Sequence, residues 1–425
     1  MKVLLIGSGG RESAFAWKIA QSPLLTELFI TPGNGGTSAY GNNEAIHETN
    51  LQGLADFALE YNIELIIVGP EAPLVEGIYD FFQNDATLKH IPIIGPSQEG
   101  AMLEGSKAFA KDFMQRHHIP TAAYREVTMD TLPEGLEFLE SLPSPYVLKA
   151  DGLAAGKGVL IIHDLNEART ELLAMLDGKF GDASTKVVIE EFMKGIEFSV
   201  FVLSDGINYK ILPTAKDYKR IGEGDTGLNT GGMGAVSPPP FVTEEIMQQV
   251  EKEVIKPTIE GLLRDNIVYK GFIYIGLMLT QDGKAKVVEY NCRMGDPETE
   301  VVLPRIQTDI LPLFISMHDG KLNEHTLDII NDTAVTVIMA SGGYPEDYEK
   351  GKVITGIDKV AESIVFHCGT KKDNNGDIVS NGGRVLAVTS LGDTWESAVE
   401  KCYKSIQYIH FDQQYYRRDI GTDLK

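Results

Sequence analysis

Short apolar runs alternate with helical patterns over the first hundred residues of the chain. The runs predict strands at 3–6, 27–30, 63–68 and 91–94, and amphipathic helices at 12–20 and 51–61. Each strand runs into a turn that contains glycine, which is typical of a parallel, doubly wound sheet. Ligands of such sheets bind at the carboxyl ends of the strands.

The pattern changes beyond this region. A helix is predicted over 104–117, and residues 146–192 read as strand, glycine loop, strand, helix and strand. Longer apolar strands are predicted at 197–203, 271–279 and 286–290. The stretch 213–240 has no regular period, and a structureless segment of that length inside a domain is usually functional.

The chain length of 425 residues suggests about three domains. We predict an N-terminal α/β domain at 1–103, a central domain at 104–330 and a small C-terminal α+β domain at 331–425. The last of these begins with an apolar strand at 334–340.

Charge and composition narrow the classes of function. The chain has 38 Lys and Arg against 61 Asp and Glu, a net charge of −23, which argues against broad nucleic-acid binding. Any site for an anionic substrate must therefore be built locally from cationic side chains, backbone N–H groups or a metal. No apolar run approaches the ~18 residues of a membrane helix, and the apolar start is too short for a secretion signal. Three cysteines without a C-x-x-C pair predict neither a disulfide framework nor a structural zinc site. We expect a cytoplasmic protein.

The segment 7–12, Gly-Ser-Gly-Gly-Arg-Glu, follows the first strand and opens a helix. Backbone N–H groups at such a turn can bind a phosphate. A dinucleotide fingerprint is disfavoured, because Glu12 stands at its third glycine and the second strand ends without an acidic residue. A site for a small phosphorylated substrate is the better interpretation, with a turn that binds nothing as the alternative.

The segment 149–159, Lys-Ala-Asp-Gly-Leu-Ala-Ala-Gly-Lys-Gly-Val, resembles a P-loop but is one residue short. Gly158 stands where Ser or Thr would bind magnesium, and the apolar residues that follow predict a strand instead of a helix. A glycine loop between two strands can fold over a triphosphate, and Lys149 could reach a phosphate. The alternative is a mobile hairpin with a solvated Lys157.

Two strand ends carry further polar groups. The strand 187–192 ends in Glu190 and Glu191, where the backbone could pair with an adenine edge and a carboxylate with ribose hydroxyls. On the strand 287–291, Glu289 and Asn291 point to the same face, and two such oxygen ligands suit magnesium. Arg293 follows on that face and could neutralise a transferring phosphoryl group. The alternative for each is an ordinary charged strand at the surface.

Taken together, these motifs resemble the ATP-grasp superfamily and, within it, the glycinamide ribonucleotide synthetase (phosphoribosylamine–glycine ligase) family of de novo purine synthesis. The resemblance covers essentially the whole chain. Its most specific segments are Asn-Thr-Gly-Gly-Met-Gly at 229–234 and Arg-Met-Gly-Asp-Pro-Glu at 293–298. The resemblance implies that the central domain is an ATP-grasp domain with a mobile glycine-loop lid at about 121–193.

The resemblance also implies a reaction. ATP phosphorylates the glycine carboxylate, and the amine of 5-phosphoribosylamine attacks the resulting acyl phosphate, with Mg²⁺ or Mn²⁺ as the metal. The protein supplies positioning and charge neutralisation. The partners implied are these small molecules, without nucleic acid or membrane, and a monomer is expected. The alternatives are another ATP-grasp carboxylate–amine ligase of purine metabolism, a non-catalytic nucleotide-binding module, and a dinucleotide oxidoreductase.

Site roles follow from the resemblance by position. The metal ligands would be Glu289 and Asn291. The nucleotide site would comprise Lys107, Lys149, Gly152, Gly156, Lys157, Gly158, Glu190, Glu191, Phe192 and Glu197. The substrate site would comprise Gly9, Gly10, Arg11, Gly69, Pro70, Glu71, Gly232 and Gly234, and the catalytic residues would be Arg293, Asp296 and Asp217.

Two positions depart from the family pattern. Ser13 and Tyr218 stand where the family usually has histidines near the expected phosphoribosylamine site. These substitutions predict altered contacts to that substrate and undisturbed ATP binding. We expect retained activity, with the two hydroxyl groups or waters replacing the imidazoles.

Overall fold

The computed structural model describes residues 1–152 and 158–424. The N-terminal elements alternate strands and helices, namely β1 Lys2–Gly7, α1 Gly10–Ile19, β2 Glu27–Pro32, β3 Asn42–Asn43, α2 Leu51–Glu60, β4 Leu65–Val68, α3 Glu71–Val75, α4 Ile78–Asn84 and β5 Ile93–Pro96. The strands pair in parallel in the order β3-β2-β1-β4-β5. The predicted doubly wound parallel sheet is therefore confirmed. Its strands are apolar along their length because helices cover both faces.

A small antiparallel sheet follows. The elements of this part are α5 Gln98–Gly105, α6 Lys107–Arg116, β6 Tyr124–Val127, α7 Leu132–Ser141, β7 Tyr146–Ala150, β8 Val159–Ile162, α8 Leu165–Ala174 and β9 Val187–Glu190. The strand order is β6-β9-β7-β8, and residues of α7 and α8 share a separate apolar core with this sheet. The single helix predicted over 104–117 is wrong at its start. Ser106 begins a new helix there, because its Oγ accepts the N–H of Phe109 at 3.1 Å.

The central part is built around a long antiparallel sheet. Its elements are β10 Gly195–Ser204, β11 Tyr209–Ile211, β12 Lys216–Asp217, β13 Arg220–Gly222, β14 Thr226–Asn229, β15 Gly234–Ser237, α9 Glu244–Val250, α10 Lys256–Arg264, β16 Tyr269–Thr280, β17 Ala285–Asn291, α11 Thr299–Val302 and α12 Ile310–His318. Strand β16 pairs with β10 and β17, and its first residues pair with β5. The N-terminal and central sheets therefore form one continuous sheet, which holds the carboxyl ends of the parallel strands close to β17.

The C-terminal part contains β18 Thr333–Ser341, β19 Ile364–His367, β20 Thr370–Lys372, β21 Ile378–Ser380, β22 Arg384–Gly392, α13 Trp395–Ile406 and β23 Gln414–Tyr415. Its main sheet has the order β12-β15-β18-β22-β19, and α13 shares an apolar core with it. The expectation of an irregular stretch at 213–240 is therefore wrong. That stretch forms four short strands, two of which complete the C-terminal sheet. Their length of two to four residues is too short to show a period in the sequence.

Within residues 1–152 and 158–424, no helix combines the length and the apolar character that crossing a membrane requires.

Candidate active site

The glycine turn after β1 is closed by carboxylates of the chain itself. The N–H of Gly9 donates to Glu12 Oε2 at 2.6 Å, and the N–H of Arg11 donates to Asp296 Oδ2 at 3.2 Å. Glu12 lies beneath the turn, and a Cβ on Gly69 would come within 2.0 Å of Glu12 Oε1. These contacts explain why glutamate stands at the third glycine of a dinucleotide fingerprint. They also place the predicted substrate residues Gly9, Arg11 and Gly69 around one buried carboxylate.

Arginines and carboxylates from distant parts of the chain meet beside this turn. Arg11 Nε lies 2.6 Å from Glu12 Oε1, and Arg293 Nη2 lies 2.7 Å from Glu104 Oε1. Arg293 Nε lies 3.4 Å from Glu71 Oε2 and makes no hydrogen bond within the described residues. Although burial opposes its charge, the guanidinium groups of Arg293 and Arg11 hold the pKa of Glu71 below its ordinary value. The cluster therefore keeps a buried donor on Arg293 free for a ligand.

Asp296 links this cluster to the C-terminal part. Its Oδ1 lies 2.9 Å from Arg384 Nη2, and Arg384 Nη1 donates to the carbonyls of Gly231 and Asp296, both at 2.8 Å. Gly232 has a φ of +117°, and a Cβ there would lie 2.4 Å from Pro297 Cδ. The close packing requires glycine at 232. Gly234 lies further along, in the buried strand β15.

Three lysines lie close together near β17. Lys149 Nζ and Lys111 Nζ lie 2.9 and 3.2 Å from the same oxygen, Glu190 Oε2. Lys107 Nζ donates to the carbonyls of Asp151 and Gly152 at 3.4 and 3.3 Å. Although burial opposes its charge, the two ammonium groups keep the pKa of Glu190 below its ordinary value. The Glu190 carboxylate is thus a buried ion-pair partner of two lysines.

The remaining predicted nucleotide residues lie around this cluster. The N–H of Glu191 donates to the Ala123 carbonyl at 2.9 Å, and Phe192 is exposed. Gly158 accepts the N–H of Ala150 at 2.7 Å, whereas Gly156 and Lys157 lie outside the described residues. The glycine loop therefore begins and ends at described residues that lie close to Lys107 and Lys149.

A small polar pocket lies between β10, β12, β16 and β17. Lys219 Nζ bridges Glu197 Oε2 at 2.7 Å and Asp217 Oδ1 at 3.4 Å, and Glu289 lines the same pocket. Lys219 lowers the pKa of Glu197, whereas burial raises the pKa of Asp217. Glu197, predicted as a nucleotide residue, therefore shares a site with the predicted catalytic residue Asp217.

The donor set of β17 fits a magnesium ion. Glu289 and Asn291 lie opposite Gly276 and Tyr274 of β16, and the Glu289 carboxylate makes no ion pair or hydrogen bond within the described residues. The Asn291 amide nitrogen donates to Glu104 Oε1 at 3.2 Å and to the Tyr290 carbonyl at 3.0 Å. In this orientation the amide oxygen is left as an acceptor. Residues 1–152 and 158–424 contain no group of three His, Cys, Asp or Glu side chains suited to a metal. Two oxygen ligands completed by phosphates and water suit Mg²⁺, which rarely takes an all-protein cage.

The sequence did not reveal a wide cleft between the N-terminal and C-terminal parts. A cavity of about 540 Å³ lies between the loops after β1 and β2 and the segment 368–372, and it is lined by Ser8, Pro32, Gly33, Asn34, Gly35, Ser38, Asn43, Cys368, Gly369, Thr370, Lys371, Lys372 and Asn381. Asn34 Nδ2 donates to the carbonyls of Ser8 at 2.9 Å and His367 at 2.8 Å. The signals in the sequence are the segment 7–12, whose Ser8 lines the cleft, and the glycine-rich turn after β2, whereas the two lysines belong to no motif.

The two departures from the family pattern lie in different places. Ser13 is buried beside this cleft, where its Oγ accepts a long contact of 3.4 Å from Asn34 Nδ2. Tyr218 points away from the pocket that Asp217 and Lys219 line. Its hydroxyl donates to Asp423 Oδ1 at 2.7 Å and accepts the N–H of Gly421 at 3.0 Å. The expectation that Tyr218 lies near the substrate is therefore wrong, because neighbouring residues of a strand face opposite sides.

Two sheets, one with Lys149 and both ends of a glycine loop and the other with paired oxygen ligands on β17, are typical of an ATP-grasp enzyme. The family described as phosphoribosylglycinamide synthetase matches residues 1–104 with its N domain, 105–299 with its ATP-grasp (A) domain and 334–423 with its C domain. The chain belongs to this family.

Individual relatives agree with this assignment along the whole chain. Phosphoribosylamine–glycine ligases of Escherichia coli (strain K12) and Allochromatium vinosum are 47% and 48% identical over 426 residues, which cover 99% of this chain and 98% of theirs. The crystal structure of phosphoribosylamine–glycine ligase from Thermotoga maritima superposes with a TM-score of 0.85 at 35% identity, covering 99% of this chain and 100% of that one.

Proposed function

We propose that the chain joins glycine to 5-phosphoribosylamine with the conversion of ATP to ADP and phosphate, a step of purine biosynthesis. The observation that carries the proposal is the position of β17 and the residues after it. Lys149 Nζ donates to the Val288 carbonyl of β17 at 3.4 Å, the oxygen ligands Glu289 and Asn291 lie on the same strand, and Asp296 accepts the N–H of Arg11 from the turn after β1, whose Ser8 lines the cleft. This arrangement fits a nucleotide, a metal and a phosphorylated co-substrate around one reaction centre, and the family supplies the identity of the substrates.

ATP would bind between the small sheet β6–β9 and the central sheet. Lys107, Lys149 and the glycine loop that includes Gly152, Gly156, Lys157 and Gly158 would bind the phosphates, and the backbone at Glu191 and Phe192 would border the adenine. Glu289 and Asn291 would hold Mg²⁺ or Mn²⁺, which neutralises phosphate charge when it is bound.

Glycine would bind between Arg293 and the pocket that contains Asp217. The Nε of Arg293, which makes no hydrogen bond within the described residues, could donate to the glycine carboxylate or to the phosphoryl group that reaches it. A carboxylate is a poor electrophile, whereas an acyl phosphate has a good leaving group, so we infer a glycyl phosphate intermediate. Asp296, held by Arg384 and the Arg11 N–H, would fix the position of the segment that carries Arg293.

The phosphate of phosphoribosylamine would bind in the cleft. Lys371 and Lys372 provide positive charge there, and the loops after β1 and β2 provide backbone N–H groups. The amine would then face the reaction centre past Gly10, Arg11, Pro70 and Glu71. This placement satisfies the requirement for a locally built anion site in an acidic protein.

The test is phosphate release from ATP with Mg²⁺ and glycine, with and without freshly generated phosphoribosylamine. Release that requires both glycine and this amine is expected. Release with glycine and a different amine would instead establish a sibling carboxylate–amine ligase. Lys371→Met and Lys372→Met should raise the KM for phosphoribosylamine, whereas the exposed Lys350→Met is the matched control. A KM that is equal in all three variants would contradict the cleft assignment.

We further propose that the chain acts as a monomer in the cytoplasm. Light scattering behind a sizing column should give the mass of one chain, 46.6 kDa, and a doubled mass would refute the monomer. Fractionation of the native host should place the protein in the cytosol.

A further inference from the structure

Lys111 is a buried lysine that the proposed reaction does not use. It lies on α6 one turn after Lys107, so the two side chains share a face of the helix. Only 2% of Lys111 is exposed, and its ammonium group contacts Glu190 Oε2 at 3.2 Å and Thr121 Oγ1 at 2.8 Å. Thr121 in turn donates to the Val287 carbonyl at 2.7 Å. Lys111 is therefore held between the small sheet and β17.

Lys111 and Lys149 share a single carboxylate oxygen. Lys149 Nζ lies 2.9 Å from Glu190 Oε2, and its other contact, to the Val288 carbonyl, is long at 3.4 Å. Two ammonium groups therefore contact one carboxylate, and within these contacts one positive charge is uncompensated. Lys107 adds a further positive charge near Lys149, and the carboxylates of Glu289 and Asp151 offset part of it. A bound phosphate would supply further negative charge beside Lys149.

The charge on Lys111 is maintained at a cost. Burial lowers the pKa of Lys111 to about 8, so the side chain remains mostly charged at neutral pH. A buried ion is expensive to desolvate, and an apolar side chain of similar length would fill the same space without that expense. A purely structural position would therefore favour methionine or leucine over lysine. The cost indicates an electrostatic role.

We propose that Lys111 is a positioning residue for ATP. Its ammonium group neutralises part of the charge of the Glu190 carboxylate, so that Lys149 remains available to bind the nucleotide phosphates. This inference rests on the proposed role of Lys149. Without Lys111, Glu190 and Lys149 would form a one-to-one buried ion pair. That pair would keep the Lys149 ammonium group at Glu190 and cancel the positive charge that attracts ATP.

The experiment measures the Kd of ATP by calorimetry, together with the KM for ATP and for glycine, in the full-length protein. Lys111→Met should raise the Kd and KM of ATP roughly tenfold, the factor that corresponds to about 1.4 kcal/mol, and leave the KM of glycine unchanged. Lys111→Arg should restore ATP binding because it keeps the charge. A stable Lys111→Met protein that binds ATP like the parent would overturn the inference, as would an equal loss in the Met and Arg variants.

Two further variants separate the inference from the proposed function. Lys149→Met should abolish tight ATP binding. If it does not, the assignment of the nucleotide site is wrong, whatever Lys111 does. Thr121→Val removes the second hydrogen-bond partner of Lys111. Its ammonium group should then interact more strongly with Glu190, and the contact between Glu190 and Lys149 should weaken. ATP should then bind as well as in the parent or better. This variant also decides the matter if Lys111→Met does not fold, because weaker ATP binding by a folded Thr121→Val protein would refute the role of Lys111.

Discussion

Tyr218 provides a direct test of how the C-terminal residues are anchored. Its hydroxyl donates to Asp423 and accepts the N–H of Gly421, while the Lys216 ammonium lies 3.9 Å from the centre of its ring. Only 4% of Tyr218 is exposed. We predict that Tyr218→Phe destabilises the protein and leaves substrate binding unchanged, because the lost hydroxyl faces the C-terminal residues and not the active site.

The magnitude follows from the two hydrogen bonds. Half of the Asp423 side chain is exposed and it keeps its ion pair with Lys216 at 2.8 Å, so water can replace the tyrosine there at a cost of about 1 kcal/mol. The Gly421 N–H is buried and would lose its acceptor, which costs about 1–2 kcal/mol. The ring and its contact with Lys216 remain. The expected loss is therefore about 2–3 kcal/mol of unfolding free energy.

The assay combines thermal unfolding with steady-state kinetics. At about 2–4 °C per kcal/mol, the midpoint of unfolding should fall by roughly 4–12 °C. The KM values for ATP, glycine and phosphoribosylamine should not change at a temperature where both proteins are folded. Tyr408→Phe, at a half-exposed tyrosine of the same domain, is the control. A raised KM for phosphoribosylamine with an unchanged midpoint would refute the reasoning, because it would place the hydroxyl at the substrate site.

Three further predictions concern the cleft, the metal and pH. Asn34→Asp turns a carboxylate toward the carbonyls that the amide now binds, so the KM for phosphoribosylamine should rise about tenfold while that for ATP is unchanged; an equal rise in both would contradict a role in the cleft. Glu289→Gln should raise the Mg²⁺ concentration needed for half-maximal activity, and an unaltered Mg²⁺ titration would remove Glu289 from the metal site. Burial lowers the pKa of His367 to about 4, so its contribution to stability is complete above about pH 6.5 and is lost as the pH falls toward 4. In urea unfolding, His367→Gln should reduce the loss of unfolding free energy between about pH 6.5 and pH 4 by up to about 3 kcal/mol. The same dependence of unfolding free energy on pH in both proteins would contradict the assignment.

The sequence predicts best what is local. The N-terminal strands are continuous apolar runs that end in glycine turns, so the sheet and the position of its ligand-binding edge could be inferred without the structure. Glu289 and Asn291 could be paired because alternation along one strand places them on the same face. Lys149 could be singled out because it lies at a strand end before a glycine loop.

What the sequence conceals depends on partners far away in the chain. The contact of Asn34 with the His367 carbonyl spans 333 residues, so no motif could show that the two segments form one cleft. The contacts of the Glu190 carboxylate with lysines of α6 and β7 likewise join separate segments, so the sequence could not show them. Tyr218 was misplaced because β12 was not recognised as part of a strand pair, and its alternation therefore could not be applied.

The pairing of β15 with β18 has a consequence for how the chain is made. Ser237 lies opposite Ala334 and Gly234 opposite Val337, so the first strand leaves the ribosome about a hundred residues before its partner. At about 5–20 residues per second, it waits some 5–20 seconds with an open edge. During synthesis the edge of β15 that later pairs with β18 is thus an unpaired hydrogen-bonding surface. Another chain or a chaperone could bind this edge before β18 is made. A C-terminal fragment that begins at β18 would therefore lack the strands β12 and β15 of its sheet.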